Sequence, residues 1–266
     1  MFLEESAFIC PLCKQKLFKV NNSLKCLGSH SFDFAKQGYV NLLMSNASGK
    51  RHGDDRLMVE ARSRFLNKGY YDALRQTAST ILGADNIVLD AGCGEGYYTS
   101  ALGANPALKM FGFDISREMV RLAAKRGNGT YFVANMASIP VADASMDYAI
   151  HLFAPFQERS FSQALRPGGH LFTVVPGRFH LWELKQTLYE TPYENDEMLP
   201  ATDQLVPVSC HKVSARICLA SQEDIQAVFR MILYYFRTYA SDKEKLLSLE
   251  RLETQIEFVI GEYRKP

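Results

Sequence analysis

The run Val88-Leu-Asp-Ala-Gly-Cys-Gly-Glu-Gly-Tyr-Tyr98 limits the possible folds of this chain more than any other stretch. Ile87–Asp90 reads as a buried strand, and glycines at 92, 94 and 96 follow it at once. Glycine permits a tight turn and lets the backbone approach a ligand closely at the carboxyl end of a strand. Met110–Asp114 reads as the next strand, and the acid at its end, Asp114, can accept both hydroxyls of a ribose. Dinucleotide-binding folds also carry a glycine loop, so the loop alone identifies little. Two details narrow it. The spacing is G-x-G-x-G rather than G-x-G-x-x-G, and an acid, Asp90, precedes it. Such a loop lacks the pyrophosphate turn and suits a nucleoside ligand without phosphates.

The alternation continues beyond the loop. Tyr131–Ala134, Met146–Leu152 and His170–Val175 read as further strands, with helical stretches at Ser116–Lys125 and Glu158–Leu165 between them. Strands separated by helices imply a parallel sheet with crossovers on both faces. His180–Glu190 is helical, with Leu181, Leu184 and Leu188 in spacing and Pro192 beyond. Residues 206–219 alternate as a strand, Ser221–Asp224 forms a capping box for another helix, and Thr254–Gly261 reads as a last strand. Upstream, Asp55 to Leu82 is helical, capped by Asp54 or Asp55 and divided at Gly69. Together these predict an α/β fold with a seven-stranded, doubly wound, Rossmann-like sheet.

A second pattern precedes the sheet. Cys10-Pro-Leu-Cys13, twelve residues, then Cys26-Leu-Gly-Ser-His30 spells C-x2-C-x12-C-x3-H. Two thiolates on one turn and a second pair downstream can close a tetrahedron around structural Zn²⁺, with Cys10, Cys13, Cys26 and His30 as ligands. A module this short buries too little core to stand alone, so a metal staple is the natural solution. The alternative is a set of unligated core cysteines, with His30 an ordinary satisfied histidine. Residues 1–43 are therefore assigned to a zinc-binding module, the small polar stretch 44–54 to a linker, and 55–266 to the α/β domain.

Composition excludes several classes. With 47% hydrophobic and 22% charged residues, the chain is neither disordered nor dominated by one charge. No apolar run approaches the roughly 18 residues of a membrane span. The first residues, Met1-Phe-Leu-Glu-Glu-Ser6, do not form a secretory signal, so a cytoplasmic location is expected. Residues 1–75 hold 12 Lys and Arg against 7 acids, and the remainder 18 against 22. The basic excess on the first part can attract a polyanion. Lys14, Lys16, Lys19, Lys25 and Lys36, interleaved with Phe18, Phe32, Phe34 and Tyr39, would suit RNA contact and base stacking. The competing explanation makes those aromatics the module's own core.

The loop string resembles the D-x-G-x-G-x-G motif of class I methyltransferases, which use S-adenosylmethionine, and Leu165-Arg-Pro-Gly-Gly169 resembles a later signature of that superfamily. More specific strings cover nearly the whole chain: Cys10-Pro-Leu-Cys13, Phe32-Asp-Phe-Ala-Lys-Gln-Gly-Tyr-Val-Asn-Leu-Leu43, Ala61-Arg62 with Phe65-Leu66, Gly92–Tyr98, Ala154-Pro155, and Arg178-x-His180-Leu-x-Glu183-Leu-Lys185. In these the chain resembles the bacterial 23S rRNA (guanine-N1)-methyltransferases. The resemblance implies zinc on the four residues above and cofactor contacts from Tyr71, the loop at Gly94 to Gly96, and His180. Asp114 joins that set from the reading of the strand end, and Asp90, Gly92, Glu95 and Tyr97 from the loop itself. The linker and C-terminal third depart most from the family, and substrate choice is the property they put in doubt.

The implied substrate is 23S rRNA, and a homodimeric cleft would suit a target as large as a hairpin. Guanine N1 lies on the Watson–Crick edge and carries a proton, so the base must be unpaired, stacked and deprotonated. The segment His151-Leu-Phe-Ala-Pro155-Phe156 closes the fourth strand, with Pro155 and Phe156 as stacking candidates. His151 and Glu183 are the candidate bases, each with an ordinary structural role as its competitor. Lys50, Arg51, His52, Arg62 and Arg64 are candidate phosphate contacts. Two other functions remain open: methylation of a small molecule, which would need no RNA, and RNA binding by a zinc protein with a vestigial cofactor fold.

Overall fold

The computed structural model describes residues 4–44, 56–83, 86–232 and 240–266. The first four strands, β1 (Glu4–Ile9), β2 (Lys16–Val20), β3 (Ser23–Lys25) and β4 (Ser31–Asp33), form an antiparallel ribbon in the order β1-β2-β3-β4. A two-residue strand, β5 (Val40–Asn41), leaves this ribbon and enters the second sheet. Helices α1 (Arg56–Asn67) and α2 (Asp72–Ile81) follow, broken at Gly69 as the sequence predicts. The expected caps Asp54 and Asp55, the linker beyond residue 44, and Lys50, Arg51 and His52 lie outside the described residues.

The α/β part runs β6 (Asn86–Ala91), α3 (Tyr97–Leu102), β7 (Leu108–Asp114), α4 (Arg117–Arg126), β8 (Thr130–Val133), β9 (Met146–Leu152), α5 (Glu158–Ala164), β10 (Leu165–Pro176), α6 (Trp182–Leu188), β11 (Val206–Leu219), α7 (Gln222–Met231), α8 (Ala240–Lys245) and β12 (Leu252–Arg264). The sheet order is β11-β12-β10-β9-β6-β7-β8-β5. Strands β8, β7, β6, β9 and β10 are mutually parallel, and β12 is antiparallel to both β10 and β11. The strand order reverses between β6 and β9, which opens a crevice at their carboxyl ends. Ser221 caps α7 by accepting from the Asp224 amide, and Ser116 caps α4 by accepting from Met119.

The seven predicted strands are present, and the sheet has an eighth. Val40 and Asn41 pair in parallel with Phe132 and Val133 of β8, covering what would be its open edge. A predicted pattern of helices on both faces is also modified. Helices α1, α2, α3, α6 and α7 contribute to one core with Tyr71, Ile150, Phe172 and Phe258. The opposite face is covered by α5 through Phe161 and by the N-terminal ribbon through Phe8, Leu17 and Leu24. Phe8 meets Phe132 edge-on at 4.9 Å and Phe111 at 5.7 Å. Around it, the Ile9 amide donates to the Pro140 carbonyl (3.1 Å) and the Ala142 amide to Ala7 (2.9 Å). The ribbon's core is thus continuous with that of the sheet.

Truncating Phe8 removes a ring shared by both parts. Phe8→Ala is expected to cost about 3 kcal/mol, measured as a lower urea midpoint with one cooperative transition.

Candidate cofactor cleft and metal centre

The glycine loop leaves β6 and is stitched to the end of β7. The amides of Gly92 (2.9 Å) and Cys93 (2.8 Å) donate to the Phe113 carbonyl, and that of Gly94 to Asp114 Oδ2 (3.1 Å). Asp114 Oδ1 accepts from the Ser116 amide at 2.8 Å. These bonds fix the carboxylate at the mouth of the crevice. Gly92, Gly94 and Gly96 all have positive φ, a region costly for other residues. Gly96 also lies against α4: a Cβ there would come within 2.8 Å of Ala123 Cβ. At Gly94 the space is open instead, and among the described residues, its chain neighbours aside, the only atom near such a Cβ is Arg62 Nη1, at 4.0 Å.

Below the loop, Asp90 is fully buried. Thr99 donates its hydroxyl to Asp90 Oδ2, while Oδ1 has no partner. Burial pushes this carboxyl up to about 7. The Tyr98 hydroxyl, buried on α3, likewise has no partner. Across the crevice, the Tyr71 hydroxyl and His180 Nε2 share a hydrogen bond of 2.9 Å, and His180 Nδ1 lies between the backbone carbonyl (2.9 Å) and amide (3.2 Å) of Glu257. Burial holds His180 down to about 3, so the ring is neutral. Gly94, Asp114, Tyr71 and His180, all expected from the sequence, therefore sit around the carboxyl ends of the parallel strands.

Other expected residues are placed differently. The Tyr97 hydroxyl donates to Asp72 Oδ1 (2.6 Å), and Tyr97 lines a separate cleft of about 360 Å³ with Asn67, Arg75, Arg126 and Asn128. Glu95 is buried with its carboxylate on Arg126 (2.7 Å), so its side chain also faces away from the Gly94 opening. Glu183 is not available as a base. Its Oε1 accepts from Arg216 (2.9 Å) and its Oε2 from Thr254 (3.0 Å) and the Gln255 amide (2.8 Å), which ties α6 to β12. His151 is buried against Phe156 and Phe161, with Nδ1 on Thr173 Oγ1 (2.8 Å) and Nε2 unpartnered. Burial lowers its affinity for a proton, and nothing exposes it to a large substrate. Phe156 packs its ring against His151 and Phe161, which leaves it poorly placed to stack on a base. Pro155 is exposed.

The aromatics presented at this rim were not singled out by sequence. Phe153 has φ 57°, which turns its side chain out; it is 46% exposed and lies 5.7 Å from Phe258. Phe179 is exposed on the neighbouring turn. Arg64, expected at phosphates, faces Glu223 and Asp224 of α7, each at 3.8 Å. Beside it Lys68 grips the buried Asp224 at 2.5 and 2.7 Å, and the Tyr70 hydroxyl adds a bond of 2.9 Å.

In the ribbon, both cysteine turns close through left-handed residues, Lys14 and Ser29. The donor atoms of Cys10, Cys13, Cys26 and His30 all lie within 4.8 Å of one another. His30 Nδ1 is 3.5 Å from Cys10 Sγ and 3.3 Å from Cys26 Sγ, and the sulfurs of Cys13 and Cys26 are 3.6 Å apart. A tetrahedral zinc ion sets thiolates about 3.8 Å apart and a thiolate and imidazole about 3.6 Å apart, so the set fits one ion. Three of the four aromatics serve cores: Tyr39 is buried, and Phe32 and Phe34 pack against the core that the ribbon shares with the sheet, while Phe18 is half-buried and Lys16, Lys19, Lys25 and Lys36 are exposed.

Comparison with known proteins agrees with both parts. Residues 8–48 match the zinc-ribbon family described as "RlmA, N-terminal", and residues 88–169 match a methyltransferase domain. Two relatives carry the name "Putative 23S rRNA (guanine-N(1)-)-methyltransferase". The one from Micromonospora griseorubida is 33% identical over 67% of this chain and 68% of its own. The one from Bacillus subtilis is 27% identical over 94% of this chain and 93% of its own. A 23S rRNA (guanine(748)-N(1))-methyltransferase of Streptomyces fradiae is 33% identical, covering 67% of this chain and 66% of its own. Among the described residues, no helix is long and apolar enough to cross a membrane.

Two outcomes are expected. Cys13→Ala should lower bound zinc from about one ion per chain towards none, read by elemental analysis. Asp90 holds its proton in the fold up to about pH 7, whereas in the unfolded chain it releases it from about pH 4. The native state then binds the extra proton across that window, so its contribution to stability falls as pH rises from about 4 to 7. Asp90→Asn should remove this fall, seen in denaturation midpoints of the two proteins across that range.

Proposed function

Since the chain belongs to the family of 23S rRNA (guanine-N1)-methyltransferases, we propose that it transfers a methyl group from S-adenosylmethionine to N1 of a guanine in a 23S rRNA hairpin. The observation that carries the cofactor half of this reading is the bond from the Gly94 amide to Asp114, beside an opening that any Cβ at 94 would narrow. The cofactor supplies a methyl group already activated on a sulfonium, so the protein has mainly to position and exclude water. Asp114 would accept the ribose hydroxyls, as its plane is held by two amides and a carboxylate offers about four lone-pair sites. Tyr71 and His180 would form the far wall, with the neutral imidazole contributing shape and no charge. Gly92 and Gly96 keep the loop tight, and Asp90 lies under it.

For the base, Phe153 and Phe179 are the exposed rings at the rim, with Pro155 beside them. A flipped guanine stacked there would meet the crevice at the ends of β9 and β10. Exposed lysines of the ribbon supply the phosphate-facing charge, and the zinc is structural because four protein ligands leave no open position. The proposal includes the division into a zinc module (1–43), a linker (44–54) and a catalytic domain (55–266). It includes a cytoplasmic setting and a homodimer that provides a cleft for the hairpin.

The deciding experiment incubates the protein with labelled S-adenosylmethionine and unmodified 23S rRNA, then maps the product base by nuclease digestion and mass spectrometry. N1-methylguanine at one hairpin position is expected. Cofactor binding without transfer to RNA would sink the substrate reading in favour of a small molecule. Asp114→Ala should weaken cofactor binding by about a hundredfold, as two hydrogen bonds to a charged acceptor are lost, measured by calorimetry.

A further inference from the structure

Arg62 reads from the sequence as a phosphate contact, yet it sits at the cofactor crevice. It lies on α1, and among the described residues, the chain neighbours of Gly94 aside, its Nη1 is the only atom within 4 Å of where a Gly94 Cβ would stand. Arg64, two residues on, turns outward to α7. Arg62 is half-buried, whereas phosphate-binding arginines are typically presented to solvent.

Two polar atoms flank the same loop within nine residues of chain. Asp90 Oδ1 and the Tyr98 hydroxyl are both buried, and neither has a partner among the described residues. Unsatisfied buried polar atoms are costly and mark places where a ligand completes the bonding. A buried acceptor, a buried hydroxyl and a guanidinium close enough to bias that hydroxyl's ionisation match an α-amino acid, whose ammonium needs an acceptor and whose carboxylate needs donors. Asp114 lies on the other side of the Gly94 amide, where a ribose would sit. A nucleoside with an amino-acid tail would then run across the loop with the tail under α1. The guanidinium is near enough to Tyr98 and Glu95 to bias the ionisation of both.

We infer that Arg62 is a cofactor-binding residue that receives the α-carboxylate of the amino-acid tail, in a corner completed by Asp90 Oδ1 and the Tyr98 hydroxyl. The inference rests on the proposed use of S-adenosylmethionine. It also gives α1 a role beyond packing: the helix brings a cation to the loop and closes the crevice over the tail. A planar guanidinium binds a carboxylate through two parallel bonds, a geometry that lysine does not reproduce.

The test compares two ligands that share the nucleoside and differ in the tail, S-adenosylhomocysteine and 5′-methylthioadenosine, by calorimetry on the wild-type chain, Arg62→Ala and Arg62→Lys. Arg62→Ala should weaken S-adenosylhomocysteine binding about tenfold or more and methylthioadenosine binding less than twofold, with Arg62→Lys intermediate. In parallel, the salt dependence of binding to a 23S hairpin RNA should be unchanged in Arg62→Ala. Equal weakening of both ligands would overturn the inference, since it would mean that Arg62 only shapes the loop. Unchanged S-adenosylhomocysteine binding with a flatter salt slope would overturn it in favour of a phosphate contact. If the wild-type chain binds neither ligand, the cofactor reading itself fails. Should Arg62→Ala melt well below the wild type, Arg62→Gln provides the same ligand comparison with more of the packing retained.

Discussion

Three amides of one loop, those of Gly92, Cys93 and Gly94, are held by the last two residues of β7, Phe113 and Asp114. These bonds join two neighbouring parallel strands where both end, beside the point where the sheet order reverses. Much of the candidate site is arranged around them. Asp114 cannot swing away, because Ser116 holds its second oxygen. Gly96 reaches α4 closely enough that only hydrogen fits beside Ala123. A loop so constrained presents a fixed surface, which is what preorganised recognition of a small cofactor requires.

Around this fixed loop the remaining walls come from elements distant in sequence. Helix α1 supplies Arg62, the start of α2 supplies Tyr71, and the turn after β10 supplies His180. Their positions depend on buried polar ties. Asp224 on α7 binds Lys68 and Tyr70 at the end of α1. Glu183 on α6 binds the backbone and side chains of β12 and Arg216 of β11. Lys185, buried on the same helix, donates to the Tyr193 carbonyl (2.9 Å) and to Asn195 Oδ1 (2.7 Å), and so anchors the extended segment that follows. Losing one partner from such a tie strands the other in a low-dielectric interior, so these residues act as positioning elements with much at stake.

The ribbon follows a similar logic. It has too few apolar residues for a separate core, and it is not left to depend on metal alone. Phe8 enters the sheet's own core, and Val40–Asn41 becomes its eighth strand. The arrangement protects an exposed edge and covers a face that the segment between β8 and β9 leaves without a helix.

Local sequence determined a great deal of this. Residue types with short-range consequences, glycines that tolerate positive φ, cysteine pairs on tight turns, serines that cap helices and alternating apolar strands, announced the loop, the metal set and the seven strands. Each is a constraint that acts within a few residues and so leaves a local signature. Which side chains meet across the fold left no such signature. Glu183 looked available because nothing local shows that Thr254, Gln255 and Arg216 will take its oxygens. Phe156 looked like the stacking ring because the turn at Phe153 that reverses their roles depends on packing against Phe258 and Phe161. Arg62 and Arg64, two residues apart and alike in sequence, were separated only by tertiary structure, because one faces the Gly94 opening and the other the acids of α7. Sequence fixes what each short segment can do; long-range packing decides which of those groups are consumed in holding the fold and which remain to act.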